Sequence, residues 1–340
     1  MKTMQAIVFQ EEKNFDSLAL KEAPYPKPKG GDVVVEIKAA ALNHRDVWII
    51  QGLYPGIKVP MILGSDGSGI VCEVGEDVDR KWLGQPVVIN PALDWGDDPR
   101  VQAHTFRILG LPDNGTQAAY VAVPASNLAE KPDHLSFEEA AAIPLGGLTG
   151  YRALFTRGGL QVGETVLLTG IGGGVAALMM QMALAAGARV LVTSGSGEKI
   201  AQAVKGGAAG GANYKNDGWG KEITALAGKD GVHLVVDSSG GKGFGELISL
   251  VNPGGRIVFF GATAGDPPGL PMRQLFWKQV SLLGTTMGSP RDFYQMVRLF
   301  ERHRIKPLVD GPYPFSRYRD AYLRMMNAEQ FGKIVLTPEG

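Results

Sequence analysis

Apolar and polar positions along this chain follow two textures. Up to about Leu128 the apolar runs are short and strand-length, MQAIVF, DVVVEIKAAAL, GSGIVCEVG, QPVVINP and AAYVAVP, and clusters of Gly, Pro and Asp separate them. That pattern predicts a β-rich domain. From Ala129 the runs TVLLT, RVLVT, HLVVDSS, RIVFFGA and VSLLGTT alternate with helical stretches, the signature of a doubly wound parallel sheet. Near the end, SPRDFYQMVRLFERHR offers Ser289 as N-cap and Pro290 at N1, with Phe293, Met296, Val297 and Phe300 along one helical face. The final strand pattern, FGKIVLTP, has no parallel partner in the sequence and is expected to return to the first domain. The fold class is α/β, with a β-rich domain over 1–128 completed by 288–340 and a doubly wound parallel-sheet domain over 129–287.

The strongest local signal lies between Thr165 and Ser196. Val166, Leu167 and Leu168 lead into Gly170, Gly172, Gly173 and Gly174, and then Val175, Leu178, Met179, Met182 and Ala186 recur at helical spacing. A pyrophosphate meets backbone N–H groups at a helix N-terminus only where no side chain intervenes, so glycines following a buried strand predict a dinucleotide-binding βαβ unit. The four glycines and Val175 are the expected cofactor contacts, and Ala176 allows close helix packing.

The uncharged stretch from Val166 to Ala188 is long enough to suggest a membrane span. Its glycine cluster, Thr169 and Gln181 favour a buried parallel strand and helix instead. The N-terminus lacks a long apolar region with a small-residue cleavage site, so a cytoplasmic protein is expected. The 34 basic and 34 acidic residues balance, which argues against nucleic-acid and anionic-membrane partners and favours a small-molecule substrate. The lone cysteine, Cys72, excludes an intramolecular disulfide and multi-cysteine zinc sites.

ALNHRD at Ala41 to Asp46, GSDGSGIVCEVG at Gly64 to Gly75, GTQAAYVAVP at Gly115 to Pro124, IPLGGLTGYRAL at Ile143 to Leu154, the glycine loop and FGKIVL at Phe331 to Leu336 together resemble the medium-chain dehydrogenase/reductase superfamily. The likeness covers nearly the whole chain. It implies a GroES-like catalytic domain, a Rossmann domain and an NADP-linked oxidoreductase.

The zinc-dependent alcohol dehydrogenases of that superfamily hold catalytic zinc through a cysteine, a His-Glu pair and a further cysteine. The matching positions here are Asn43, Ser65 and Asp66, and Leu145. His44 and Asp66 remain as isolated donors, better read as a helix-surface histidine and a carboxylate than as a metal site, so no metal is expected. An alkoxide of high pKa is hard to stabilise without a Lewis acid. Hydride addition to a quinone or an α,β-unsaturated carbonyl spreads the charge, and hydrogen bonds can hold it. Resemblance to the zinc-independent quinone oxidoreductase branch points the same way.

In that branch the segments matching ALNHRD and GLYP line the nicotinamide pocket, which makes Tyr54 the expected donor to the substrate oxygen. Asn43 is then a second donor or an orienter of the nicotinamide. Asn43 and Asp46 also read as a reciprocal helix cap, with Asp46 mainly structural, and Trp48 as an apolar helix-face residue. At the end of the second strand, where NAD-specific domains carry a carboxylate, stands Ser194. Ser194 and Ser196 can donate to a 2′-phosphate and Lys199 can supply charge, so NADPH is expected. The branch also implies a contact from Tyr214, and Lys333 is a weaker cofactor candidate. VSLLGTT, as the sheet edge, is expected to form a homodimer.

Other readings are alcohol dehydrogenase-like activity, an enoyl-thioester reductase, a methyltransferase and a non-catalytic NADPH-binding protein. A methyltransferase usually wants an acidic residue where Ser194 stands. Residues 90–113 match no motif.

Overall fold

The computed structural model describes residues 2–339. They form two compact units, one running up to Leu148 and resuming at Gly288, the other spanning Thr149–Met287. The first unit therefore ends at Leu148, beyond the Leu128 boundary read from the sequence. The reason is local: strand Leu128–Glu130 pairs antiparallel with Pro86–Ile89, and helix Phe137–Ala141 packs on the strands of the same unit. Ala39, Ala41, Ala141, Ala142 and Val335 share one buried cluster, their small side chains permitting close approach of helix and sheet.

The main sheet of the first unit runs Leu128–Glu130, Pro86–Ile89, Asp66–Val74, Asp32–Ala41, Lys333–Thr337 and Val309–Pro314, with Tyr120–Pro124 also paired to Asp32–Ala41. The C-terminal strand returns to this sheet, as its pattern suggested. It pairs antiparallel with Asp32–Ala41 and, unforeseen in the sequence, parallel with Val309–Pro314. In the register, Ala41 faces Asp66 on one side and Val335 on the other. The three strands thus bring Asn43, Asp66 and Lys333 to one end of the sheet. Helices His44–Ile50 and Tyr318–Met326 cover that end through a core that includes Leu42, Val47, Ile50, Tyr322 and Ile334.

The second unit is a six-stranded parallel sheet in the order Gly210–Asn213, Arg189–Ser194, Thr165–Leu168, Val232–Asp237, Val251–Phe259 and Ser281–Gly284. Gly210–Asn213 escaped the sequence reading, because GGAN lacks the apolar run that marks the other strands. The direction of winding reverses between Thr165–Leu168 and Val232–Asp237, the position at which such sheets bind nucleotides. Val166, Leu167 and Leu168 are wholly buried. The following helix, Gly174–Ala185, buries Ala176 to Met180 as well as Met182 and Ala183, so it is covered over more than the single face its spacing suggested. It is too short to span a bilayer, and no helix among the described residues is long and apolar enough to do so.

Candidate active site

The first cluster is built from the ends of the three strands. Lys333 is buried at 3 % exposure, and its Nζ donates to Asp66 Oδ2 at 2.7 Å, Asn43 Oδ1 at 2.7 Å and the Leu42 carbonyl at 2.8 Å. Three acceptors match the three protons of an ammonium. Asp66, also buried, accepts from Asn43 Nδ2 at 3.0 Å on one oxygen and from the backbone N–H of Leu145 at 2.7 Å on the other. Asn43, Asp66 and Leu145, the positions that match zinc ligands in the zinc-dependent relatives, therefore converge on one another around a lysine. A cation already occupies the centre of the donor set. These residues do not fit a zinc ion, and among the described residues no group of three or more His, Cys, Asp and Glu converges as metal ligands do. Ser65 likewise turns its hydroxyl to the Leu109 carbonyl at 2.7 Å.

Lys333, expected as a cofactor contact, spends its donors inside this cluster. Asn43 caps helix His44–Ile50 in part: its backbone N–H donates to Asp46 Oδ2 at 2.8 Å, and its carbonyl accepts from the Asp46 N–H. Its side chain is fixed at Oδ1 by Lys333 and at Nδ2 by Asp66, and its second amide proton has no acceptor among the described residues. Burial lifts the Asp46 carboxyl to about 6, against the opposing pull of Arg45, the Asn43 N–H and Lys333. Tyr54 lies at the edge of the apolar core, its ring 5.2 Å from the Arg45 guanidinium carbon. Its hydroxyl makes no hydrogen bond among the described residues. His44 is exposed and Trp48 partly so.

The second cluster is the glycine turn. Gly170 and Gly172 take positive φ of 68° and 109°, conformations that disfavour a Cβ, and helix Gly174–Ala185 starts directly after them with Gly173 as its N-cap. A Cβ at Gly172 would fall 2.5 Å from Lys199 Cδ and 3.3 Å from its Nζ, so the lysine chain lies against the turn. Ser196 caps helix Gly197–Lys205, its hydroxyl accepting from the Lys199 N–H, and the Ser194 hydroxyl accepts from the Ser196 N–H. A Cβ at Gly195 would come within 2.8 Å of both Tyr214 Oη and Lys215 Cε. Ser194, Ser196, Lys199 and Tyr214 thus gather about one turn, with Lys215 beside them. These residues suit a dinucleotide: a glycine-lined helix start for the pyrophosphate, hydroxyls and cations for the adenosine end.

The sequence reading passed over Arg45, Lys215 and Asp237. A charged residue at the start of an otherwise apolar helix, in NHRDVWII, could have flagged Arg45, and adjacency to Tyr214 could have flagged Lys215. Asp237, at the end of strand Val232–Asp237, accepts from Thr169 Oγ1 at 2.6 Å and from the backbone of Ser239 and Gly240, which fixes the loop beside the switch point.

Comparison with known proteins agrees with both halves. Residues 29–133 match the alcohol dehydrogenase GroES-like domain and residues 174–302 the zinc-binding dehydrogenase domain. The chain belongs to the medium-chain dehydrogenase/reductase superfamily. It is 35 % identical to the zinc-type alcohol dehydrogenase-like protein YogA of Leptosphaeria maculans, over 94 % of each chain. It is 30 % identical to an acryloyl-coenzyme A reductase of Metallosphaera sedula, over 98 % of this chain and all of that one. A crystal structure of an NAD-dependent alcohol dehydrogenase, 38 % identical, superposes with a TM-score of 0.92 over 98 % of this chain and 99 % of the other. This medium-chain dehydrogenase/reductase is a nucleotide-dependent oxidoreductase by family, and at Asp66, one of the positions that match zinc ligands, it carries a carboxylate paired with Lys333.

Proposed function

We propose that this protein reduces conjugated carbonyl compounds, enones or quinones, with NADPH and without a metal. The observation that carries the reading is Lys333, whose ammonium is bonded to Asn43 and Asp66 and excludes zinc from that donor set. When bound at the glycine turn, the cofactor supplies a hydride. In a conjugated acceptor the C–H bond broken on NADPH, leaving NADP+, would be replaced by one at the β-carbon, the C=C pair would shift toward the carbonyl carbon and the C=O π pair onto oxygen, and a proton from solvent would complete the product. Tyr54 Oη donates a hydrogen bond to that oxygen, where negative charge gathers. Asn43, held by Lys333 and Asp66, offers its remaining amide proton from a fixed plane. Ser194 leaves the adenosine end without a repelling carboxylate, and Lys199, Tyr214 and Lys215 supply the contacts for a 2′-phosphate. The similarity to an acryloyl-coenzyme A reductase is in keeping with a conjugated carbonyl acceptor, including an unsaturated thioester.

The test is NADPH oxidation against paired panels of quinones, enones, enoyl thioesters and saturated aldehydes, with alcohol oxidation run in reverse. Conjugated acceptors are expected to be fastest, and Tyr54→Phe is expected to lower kcat about a hundredfold while NADPH affinity holds. Faster oxidation of saturated alcohols, or an unchanged kcat in the variant, overturns the reading.

A further inference from the structure

Arg45 is 6 % exposed and has no carboxylate within ion-pair distance among the described residues. Its hydrogen bonds run through one nitrogen: Nη1 donates to Ser65 Oγ at 2.7 Å and to the Leu109 carbonyl at 3.0 Å. Nε is buried without an acceptor, and Nη2 has none among the described residues. Its neighbour Asp46 attracts it but accepts no hydrogen bond from it: Oδ2 is taken by the Asn43 N–H, and Oδ1 has no partner among the described residues. A buried guanidinium that keeps an unmet donor is costly unless a ligand completes it.

The free nitrogens are the informative ones. Nε and Nη2 form the edge of the guanidinium that presents two parallel N–H groups, the geometry that grips a carboxylate through both oxygens. The Ser65 and Leu109 contacts on Nη1 fix the plane of that fork. The Tyr54 ring centroid lies 5.2 Å from the guanidinium carbon, so Arg45 neighbours the side chain assigned to the substrate oxygen. A single guanidinium balances a monoanion better than a phosphate.

We propose that Arg45 is a substrate-anion receptor and that the preferred acceptors are conjugated carbonyl compounds bearing a carboxylate. This rests on the functional reading above, in which Tyr54 meets the carbonyl oxygen. Arg45 would then decide which acceptors are chosen, by holding the carboxylate while the carbonyl sits at Tyr54.

Two measurements separate this proposal from the functional reading. The first is equilibrium binding of 4-oxopentanoate and of its methyl ester to the NADP-loaded protein by ligand-observed NMR, which requires no turnover. The acid is expected to bind at least about tenfold more tightly than the ester, with Arg45→Met abolishing the difference and Arg45→Lys, which keeps charge but loses the fork, retaining only part of it. The second is the ratio of kcat/KM for 4-oxo-2-pentenoate over its methyl ester, expected to collapse in Arg45→Met. A variant that merely loosens residues 90–113 would lower both substrates together and leave the ratio intact, and thermal unfolding identifies one that fails to fold. Should Arg45→Met not fold, Arg45→Lys carries both comparisons. Equal binding of acid and ester to the wild type overturns the proposal even if enones are reduced. Selective acid binding without any reduction sustains it and overturns the functional reading instead.

Discussion

Lys333 and Asp66 lie 267 residues apart in the chain and 2.7 Å apart in the fold, both buried. Each is satisfied further by neighbours: the lysine by Asn43 and the Leu42 carbonyl, the aspartate by Asn43 and the Leu145 N–H. A buried pair of this kind adds little over an apolar substitute, yet removing one member strands the other charge.

Lys333→Met should therefore lower the unfolding free energy by about 3–5 kcal/mol, and Asp66→Asn by a comparable amount. The double variant should recover much of either loss. Urea unfolding of the four proteins checks this, and a single variant within about 0.5 kcal/mol of wild type would refute the coupling. Metal analysis of protein grown with zinc should find none in stoichiometric amount.

Asp46 predicts a pH dependence of stability. Burial lifts its carboxyl from 3.8 to about 6, so the folded state keeps a proton that the unfolded chain releases. The contribution is fully present below the unfolded value and is lost as pH rises through about 6. It amounts to about 3 kcal/mol. Asp46→Asn should flatten the stability profile between about pH 4 and about pH 7 relative to wild type. Identical slopes for the two proteins in that window would count against it.

Ser194→Asp places a carboxylate where a 2′-phosphate would lie. The wild type is expected to bind NADPH at least about tenfold more tightly than NADH, and the variant to reverse that order. Fluorescence titration with each cofactor decides it, and equal affinities in the wild type would show the adenosine end misassigned.

Ser281–Gly284 is an edge strand of the parallel sheet, and Phe276 and Trp277 on the preceding helix are 65 % and 81 % exposed. Open edges beside apolar surface invite pairing with a second copy. A homodimer is expected by sedimentation, and Leu283→Lys should shift it towards monomer. A wild-type monomer at micromolar concentration would refute this.

Much of this protein is legible locally. The glycine turn after Thr165–Leu168, the capped helix from Pro290 and the alternation of strands with helices all depend on short-range chemistry: backbone freedom at glycine, satisfied N–H groups at a helix start, apolar side chains on one face. The GroES-like and Rossmann halves followed from those signals and from motif resemblance. Gly210–Asn213 and Val309–Pro314 did not, because a glycine-rich strand and a strand interrupted by Gly311 and Pro312 carry too little apolar pattern to be recognised without their neighbours.

The sequence alone also determined that the positions matching zinc ligands hold Asn43, Ser65, Asp66 and Leu145. Only the tertiary structure decided what they do instead. Asn43, Asp66 and Lys333 meet because three strands pair in one register, and that register is set by the burial of whole sheet faces rather than by any local motif. The same holds for Arg45, whose unpaired fork is defined by which partners the fold brings to Nη1 and which it withholds from Nε. Side-chain chemistry is written in the sequence, whereas the pairing or isolation of a buried charge depends on long-range packing.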